Sequence, residues 1–142
     1  MTRVLFLCTH NSARSQMAEG FLRAMAGDRF ASGSAGTEKT SVNPLAIRAM
    51  AELGIDLGGH TSKLYADVAS GAWDYLITVC DDADKNCPNF QGKVGKRSHI
   101  GFPDPAEATG TDDEKMAVFR KVRDDIKLKF TEYYRTTIRK EL

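Results

Sequence analysis

The sequence has no excess of charge of either sign: 20 Lys and Arg stand against 19 Asp and Glu, a formal charge of +1 at pH 7. That balance argues against a non-specific nucleic-acid binder, which needs a clear basic excess. Long apolar runs are missing as well. The longest near the N-terminus, Val4 to Cys8, has five residues, too short to span a bilayer or to form the apolar region of a signal peptide. A protein of the reducing cytoplasm, off the membrane, is expected. Cysteine is scarce, with only Cys8, Cys80 and Cys87. In such a compartment these three do not make a structural disulfide framework. They remain candidates for reactive thiols, buried inert thiols or metal ligands. Internal repeats, low-complexity tracts and a linker able to divide the chain are absent too.

What is present fits one domain over residues 1–142. A chain of this length buries roughly 70% of the surface its unfolded form exposes, so it folds without a metal or disulfide. Strand and helix patterns alternate. Arg3 to Leu7 reads as a central parallel strand. Ser15 to Ala26 carries Met17, Ala18, Phe21, Leu22 and Met25 at helical spacing, with Gly27 placed to end it. Phe30 to Ser34, Tyr75 to Val79 and Lys96 to Ile100 supply three further strands. Asn43-Pro44 opens a helix; Leu45, Ile47, Met50 and Leu53 follow before Gly54 stops it. Thr61 or Ser62 is expected to cap a short helix through Ala69. Thr111 and Glu114 form a capping box for a last helix carrying Phe119, Val122, Ile126, Phe130 and Tyr133. The alternation predicts an α/β fold, a parallel sheet with helices on both faces. Ligands of such sheets bind where strand C-terminal ends meet helix N-termini. Cys8 and Cys80 both stand at strand ends, on that rim.

The loop Cys8-Thr9-His10-Asn11-Ser12-Ala13-Arg14-Ser15 joins the first strand to the first helix. A tight loop there aims backbone N–H groups inward, and the helix dipole adds positive potential. Arg14 can fork onto two oxygens of a tetrahedral oxyanion. The same field favours a nucleophilic thiolate on Cys8. Asn11 suits a left-handed turn position, and Ser12 and Ser15 can donate to thiolate or ligand. No G-K-[ST] follows, which argues against a nucleotide P-loop. Cys80 and Cys87 are separated by six residues, Asp81 to Asn86. Structural zinc knuckles prefer two to four, and His10, His60 and His99 show no paired spacing. Two free cysteines in an acidic loop, or a redox pair exchanging with Cys8, are the readings left open. Asp104 lies between Pro103 and Pro105, which stiffen its loop and direct its carboxyl; many Asp-Pro pairs are simply turns.

Cys8 to Gly20, CTHNSARSQMAEG, resembles the oxyanion loop and first helix of the low-molecular-weight tyrosine phosphatase fold. Within that fold it is similar to the arsenate reductases coupled to thioredoxin. The resemblance continues through SAGTE (Ser34 to Glu38), VNPLAI (Val42 to Ile47), GIDLGGHTS (Gly54 to Ser62), Cys80 to Cys87, GFPDPA (Gly101 to Ala106) and FRKVRDDIK in the last helix. It implies a single-domain, three-layer fold around a four-stranded parallel sheet. It also implies arsenate as substrate, held by Thr9, His10, Asn11, Ser12, Ala13, Arg14 and Ser15. Cys8 would then be the nucleophile, Asp104 the general acid, and Cys80 then Cys87 a disulfide relay emptied by thioredoxin. No metal or organic cofactor is implied, and a monomer is expected. The alternative is a phosphatase acting on phosphotyrosine or another phosphomonoester, which needs no cysteine pair.

The sequence also departs from the resembling patterns. Ala13 stands where relatives often have a second loop cysteine, and His10 where glycine is common. Ala106 and Glu107 follow Asp-Pro where phosphatases of this fold place aromatic residues. Some resembling reductases bind potassium beside the loop through Asn, Glu, Ser and Asp positions. Three match Asn11, Glu19 and Ser34, but the fourth is Lys63. An ammonium has only donors and cannot ligate a cation, so the expectation is that Lys63 pairs with Glu19 and braces the loop in place of an ion.

Overall fold

The computed structural model describes residues 2–8, 12–36, 40–68, 71–80 and 93–139. Its strands are β1 (Thr2–Cys8), β2 (Phe30–Gly36), β3 (Trp73–Thr78) and β4 (Val94–His99), and its helices α1 (Arg14–Ala26), α2 (Pro44–Ala51), α3 (Tyr65–Val68) and α4 (Asp112–Tyr133). All strand pairs are parallel, in the order β2-β1-β3-β4. β1 is central because it is apolar on both faces: Val4, Leu5, Phe6 and Leu7 are each 0% exposed. Only a strand covered on both sides buries consecutive residues.

Strand alternation sends Val4, Phe6 and Cys8 into one apolar cluster and Leu5 and Leu7 into another. The first cluster takes Met17, Phe21 and Leu22 of α1, Ala46, Ala49 and Met50 of α2, and Phe119, Val122, Ile126 and Phe130 of α4. Phe6 meets Phe130 edge to face at 5.2 Å, a contact worth about 0.5–1.5 kcal/mol beyond its buried area. The second cluster adds Ala35, Trp73 and Leu76, and the Arg3 guanidinium lies 4.3 Å from the Trp73 ring centroid. The register pairs Cys8 with Gly36 and Leu7 with Thr78. Three strands therefore end at one rim. Among the described residues, no helix is long and apolar enough to cross a membrane.

Local signals account for most element ends. Asn43 Oδ1 accepts the Leu45 N–H at 2.8 Å, and Pro44 opens α2. Gly54, with φ +75°, lies in the left-handed region that glycine reaches without penalty. There it closes a Schellman turn, in which Ile55 N–H reaches Met50 O and Gly54 N–H reaches Ala51 O, each at 3.0 Å. Leu53, just before that glycine, is 38% exposed. Gly27 does follow α1, but with φ −52° it opens a 3-10 turn, Gly27–Arg29, instead of a left-handed stop. The helix in the region of the expected Thr61 or Ser62 cap is the four-residue α3, and Ser62 Oγ accepts the Thr40 N–H at 2.9 Å. Ala69 lies outside the described residues.

Arg123, 7% exposed, ties α4 to α2: it donates to Ala49 O at 2.9 Å and Glu52 Oε1 at 2.7 Å. At the other end of α4, Thr111 Oγ1 accepts the Glu114 N–H at 3.2 Å, and Glu114 Oε1 accepts the Thr111 N–H at 3.3 Å. Thr111→Ala leaves the Glu114 N–H without its side-chain acceptor and is expected to cost about 1 kcal/mol. Thermal unfolding should register this as a fall in Tm of about 3 °C, which Thr111→Ser recovers.

Candidate functional site

Cys8 ends β1 and is 2% exposed, a free thiol. Ser15, in the first turn of α1, places its Oγ 2.8 Å from Cys8 Sγ. With the sulfur ionised, the hydroxyl is the donor and the bond stabilises the thiolate. Arg14, the first residue of α1, is also 2% exposed. A buried guanidinium needs compensating acceptors. Its Nη1 donates to Phe102 O at 3.2 Å, and its Nη2 lies 3.7 Å from Asp104 Oδ2. Asp104 Oδ1 accepts the Ala106 N–H at 3.0 Å and so caps the 3-10 turn Pro105–Glu107. The carboxyl direction expected from the flanking prolines is thus set by a cap as well.

These groups face a cavity of about 210 Å³, several times the roughly 30 Å³ share of a water molecule. Cys8, Ser12, Ala13 and Arg14 line one side; Thr40, Ser41, Asn43 and Pro44 line another, with Asp104 and Ala106 completing it. Cys80 lies two residues past β3 and is 0% exposed. It is disulfide-bonded. Its Sγ sits 4.0 Å from Leu7 O; a disulfide sulfur has no hydrogen to donate, so this is packing. Cys80 and Cys8 belong to the same apolar cluster. The structure thus brings together Cys8, Ser12, Ala13, Arg14, Ser15 and Asp104, with Cys80 against the residue before Cys8. Thr9, His10, Asn11 and Cys87 lie outside the described residues.

A buried polar layer backs the loop. Glu19, 3% exposed, accepts from Ser34 Oγ at 2.6 Å and pairs with Arg23 Nη2 at 3.1 Å. Lys63 Nζ donates to Thr61 O at 2.7 Å. The direct Lys63–Glu19 pair expected from the sequence is not among the ion pairs of the described residues; Arg23 holds that carboxylate. Its position explains this, because Arg23 is four residues along α1 from Glu19, one turn away on the same face. Burial pushes the Lys63 ammonium below its ordinary pKa, against the opposing pull of Glu19. A donor-only ammonium beside a carboxylate already shared by Ser34 and Arg23 does not make a cation site. Among the described residues, no three His, Cys, Asp or Glu cluster as metal ligands.

Sequence reasoning missed several neighbours. Phe102 acts through its backbone carbonyl, which no side-chain pattern reveals. Asn43 carries a recognisable signal, but only as a helix cap. Gln16 and His60 carry none: Gln16 Nε2 donates to Thr61 O at 3.0 Å, and its Oε1 lies 2.9 Å from His60 Nδ1.

A carboxylate, a guanidinium and a free thiol around one small cavity suit nucleophilic chemistry on a tetrahedral oxyanion. Fold and site together define a cysteine-dependent oxyanion enzyme of the small parallel α/β class. The family described as low molecular weight phosphotyrosine protein phosphatase matches residues 3–142, and the chain belongs to it. It is 46% identical over 134 residues to an arsenate reductase of Bacillus subtilis (strain 168), covering 94% of this chain and 95% of that one. An arsenate reductase 1 of Staphylococcus epidermidis is 48% identical over 124 residues, with 87% and 89% covered. Among solved structures, an arsenate reductase in the oxidized state matches with a TM-score of 0.75 at 31% identity, over 93% of this chain and 95% of that one. An arsenate reductase in the phosphate binding state matches with a TM-score of 0.73 at 31% identity over the same shares.

His60 gives the site a pH signature. Arg23 Nη1 lies 3.3 Å from His60 Nε2. Arg23 can only donate, so Nε2 accepts and Nδ1 carries the proton toward Gln16. Burial holds the imidazole below its ordinary value of 6.5, opposed by Glu19, with Arg23 and Lys63 adding to the fall and Asp56 opposing it. The unfolded chain therefore takes up this proton at a higher pH than the folded one. Stability from this group is complete above the unfolded value and declines as pH falls below it. Urea midpoints should drop between about pH 7 and pH 5, and His60→Gln should make that drop smaller.

Proposed function

We propose that the chain reduces arsenate to arsenite, with its own thiols supplying the electrons. The observation that carries this reading is a pair of cysteines at neighbouring strand ends. One is a buried free thiol, Cys8; the other, Cys80, is disulfide-bonded and packed against Leu7. A phosphatase needs only the first. The 46% identity to a relative named arsenate reductase supports the same reading.

In this reading arsenate enters the cavity and is held by the backbone N–H groups from Thr9 to Ser15 and by Arg14. The Cys8 thiolate, stabilised by the Ser15 hydroxyl, attacks arsenic. A sulfur–arsenic bond forms, an arsenic–oxygen bond breaks, and Asp104 supplies the proton with which that oxygen leaves as water. With its own disulfide first reduced, the Cys80 thiolate then attacks Cys8 Sγ. A disulfide forms, and the electron pair of the sulfur–arsenic bond passes to arsenic, which leaves as arsenite. Arsenic has gained two electrons and two thiols have lost them. The Cys87 thiolate next attacks Cys80, which frees Cys8 and leaves a Cys80–Cys87 disulfide. A thioredoxin-type dithiol protein reduces that bridge.

Glu19, Ser34 and Lys63 brace the loop from behind, with Arg23 as the direct partner of Glu19, and Asn11 braces it from within. The chemistry uses no metal or organic cofactor and runs in the reducing cytoplasm, where a monomer suffices. Phosphomonoester hydrolysis is the second reading, favoured by the family. The described residues that line the cavity include no aromatic ring to hold a phosphotyrosine side chain, which disfavours it as the main activity.

Cys8→Ser should abolish both arsenate reduction and hydrolysis of a small aryl phosphate, because one nucleophile serves both. Cys80→Ser and Cys87→Ser should each stop multiple turnovers with thioredoxin, thioredoxin reductase and NADPH, yet leave hydrolysis within about threefold of the unsubstituted chain. Normal turnover by Cys87→Ser would exclude the three-cysteine relay.

A further inference from the structure

The cavity has a wall that takes no part in the proposed steps, formed where α2 begins. Asn43 donates its backbone N–H to Ser12 O at 2.9 Å. Asn43 is itself held from two sides: its Oδ1 accepts the Leu45 N–H at 2.8 Å, and Pro44 follows it as the first residue of α2. The N–H that reaches Ser12 is therefore fixed in place by a helix cap.

A trans peptide sets its C=O and its N–H on opposite sides of one plane. Holding the Ser12 carbonyl toward α2 thus points the Ala13 N–H the other way. Ser12 and Ala13 both line the cavity beside Cys8 and Arg14, so that direction matters. An anion cradle works only while its N–H groups face the anion. If the Ser12–Ala13 peptide turned over, a carbonyl oxygen would replace a donor, and an attraction would become a repulsion.

We propose that Asn43 is a positioning residue for oxyanion binding, its main-chain N–H locking the Ser12–Ala13 peptide with the donor turned toward the anion. This rests on the reading of the cavity as an oxyanion site. It assigns α2 a task in that site through the backbone alone, with no contact between Asn43 and the anion.

Two substitutions separate the side chain from the N–H. Asn43→Ala removes the cap and keeps the N–H. Asn43→Pro removes both, and the backbone accepts it, because Asn43 has φ −65° and ψ 127°, the natural region of proline. The probe is inorganic phosphate, titrated by calorimetry into the reduced protein. Asn43→Ala should weaken phosphate binding less than about threefold, and Asn43→Pro at least about tenfold more than that. The two should melt within a few degrees of each other, and the loss in Asn43→Pro should appear in KM for arsenate more than in kcat. Equal phosphate affinities for the two variants would overturn the proposal. Should Asn43→Pro not fold, amide exchange at Asn43 in the unsubstituted chain decides. Saturating phosphate should slow it about tenfold, and an unchanged rate overturns the proposal. Absence of phosphate binding by the unsubstituted chain would instead remove the oxyanion reading itself, and this proposal with it.

Discussion

A guanidinium buried to 2% exposure at the first residue of a helix is the constraint around which this molecule is arranged. Removing such a charge from water is costly unless acceptors surround it. Arg14 finds them in the Phe102 carbonyl and the Asp104 carboxylate. Both belong to the segment after β4, nearly 90 residues along the chain. That segment is in turn held to the sheet, by Ile100 N–H on Thr78 O at 2.9 Å and Phe102 N–H on Val79 O at 3.3 Å. The placement of Phe102 and Asp104 beside Arg14 thus joins the segment after β4 to the point where β1 hands over to α1. In the proposed reading the same guanidinium attracts the oxyanion.

The second arrangement of consequence is the adjacency of β1 and β3. Because Leu7 pairs with Thr78, the chain leaving β3 passes directly beside the chain leaving β1. Val79 N–H reaches Leu7 O at 2.9 Å, and Cys80 follows against the same carbonyl. In the proposed reading, a sulfur positioned there acts on what the first cysteine has bound, and this second sulfur is what separates a redox from a hydrolytic use of one fold. The described residues that line the cavity include no aromatic side chain to stack on a ring.

Support for the loop is layered and largely polar. Glu19, Ser34, Arg23, Gln16 and His60 connect α1 to β2 and to the turn before α3 through donors and acceptors that match one another. A network of this kind holds a loop in one geometry but tolerates no extra charge. Burial of His60 and Lys63 lowers both pKa values for that reason.

The sequence by itself determined the elements whose signals are local. The unbroken apolar run of β1, the Asn43-Pro44 start of α2 and the Thr111–Glu114 box were all readable, because each is a short-range pattern of hydrophobicity or capping. Only the tertiary structure decided which side chain answers which. Lys63 and Arg23 were equivalent as cations in the sequence, and helix geometry gave Glu19 to Arg23. Ser62 had the chemistry of a cap, and the fold also brings the Thr40 N–H onto its Oγ. The contacts that complete the site are backbone groups, the Phe102 carbonyl on Arg14 and the Asn43 N–H on Ser12. Every residue except proline carries the same backbone donor and acceptor, so nothing in a sequence marks the ones that long-range packing brings into use.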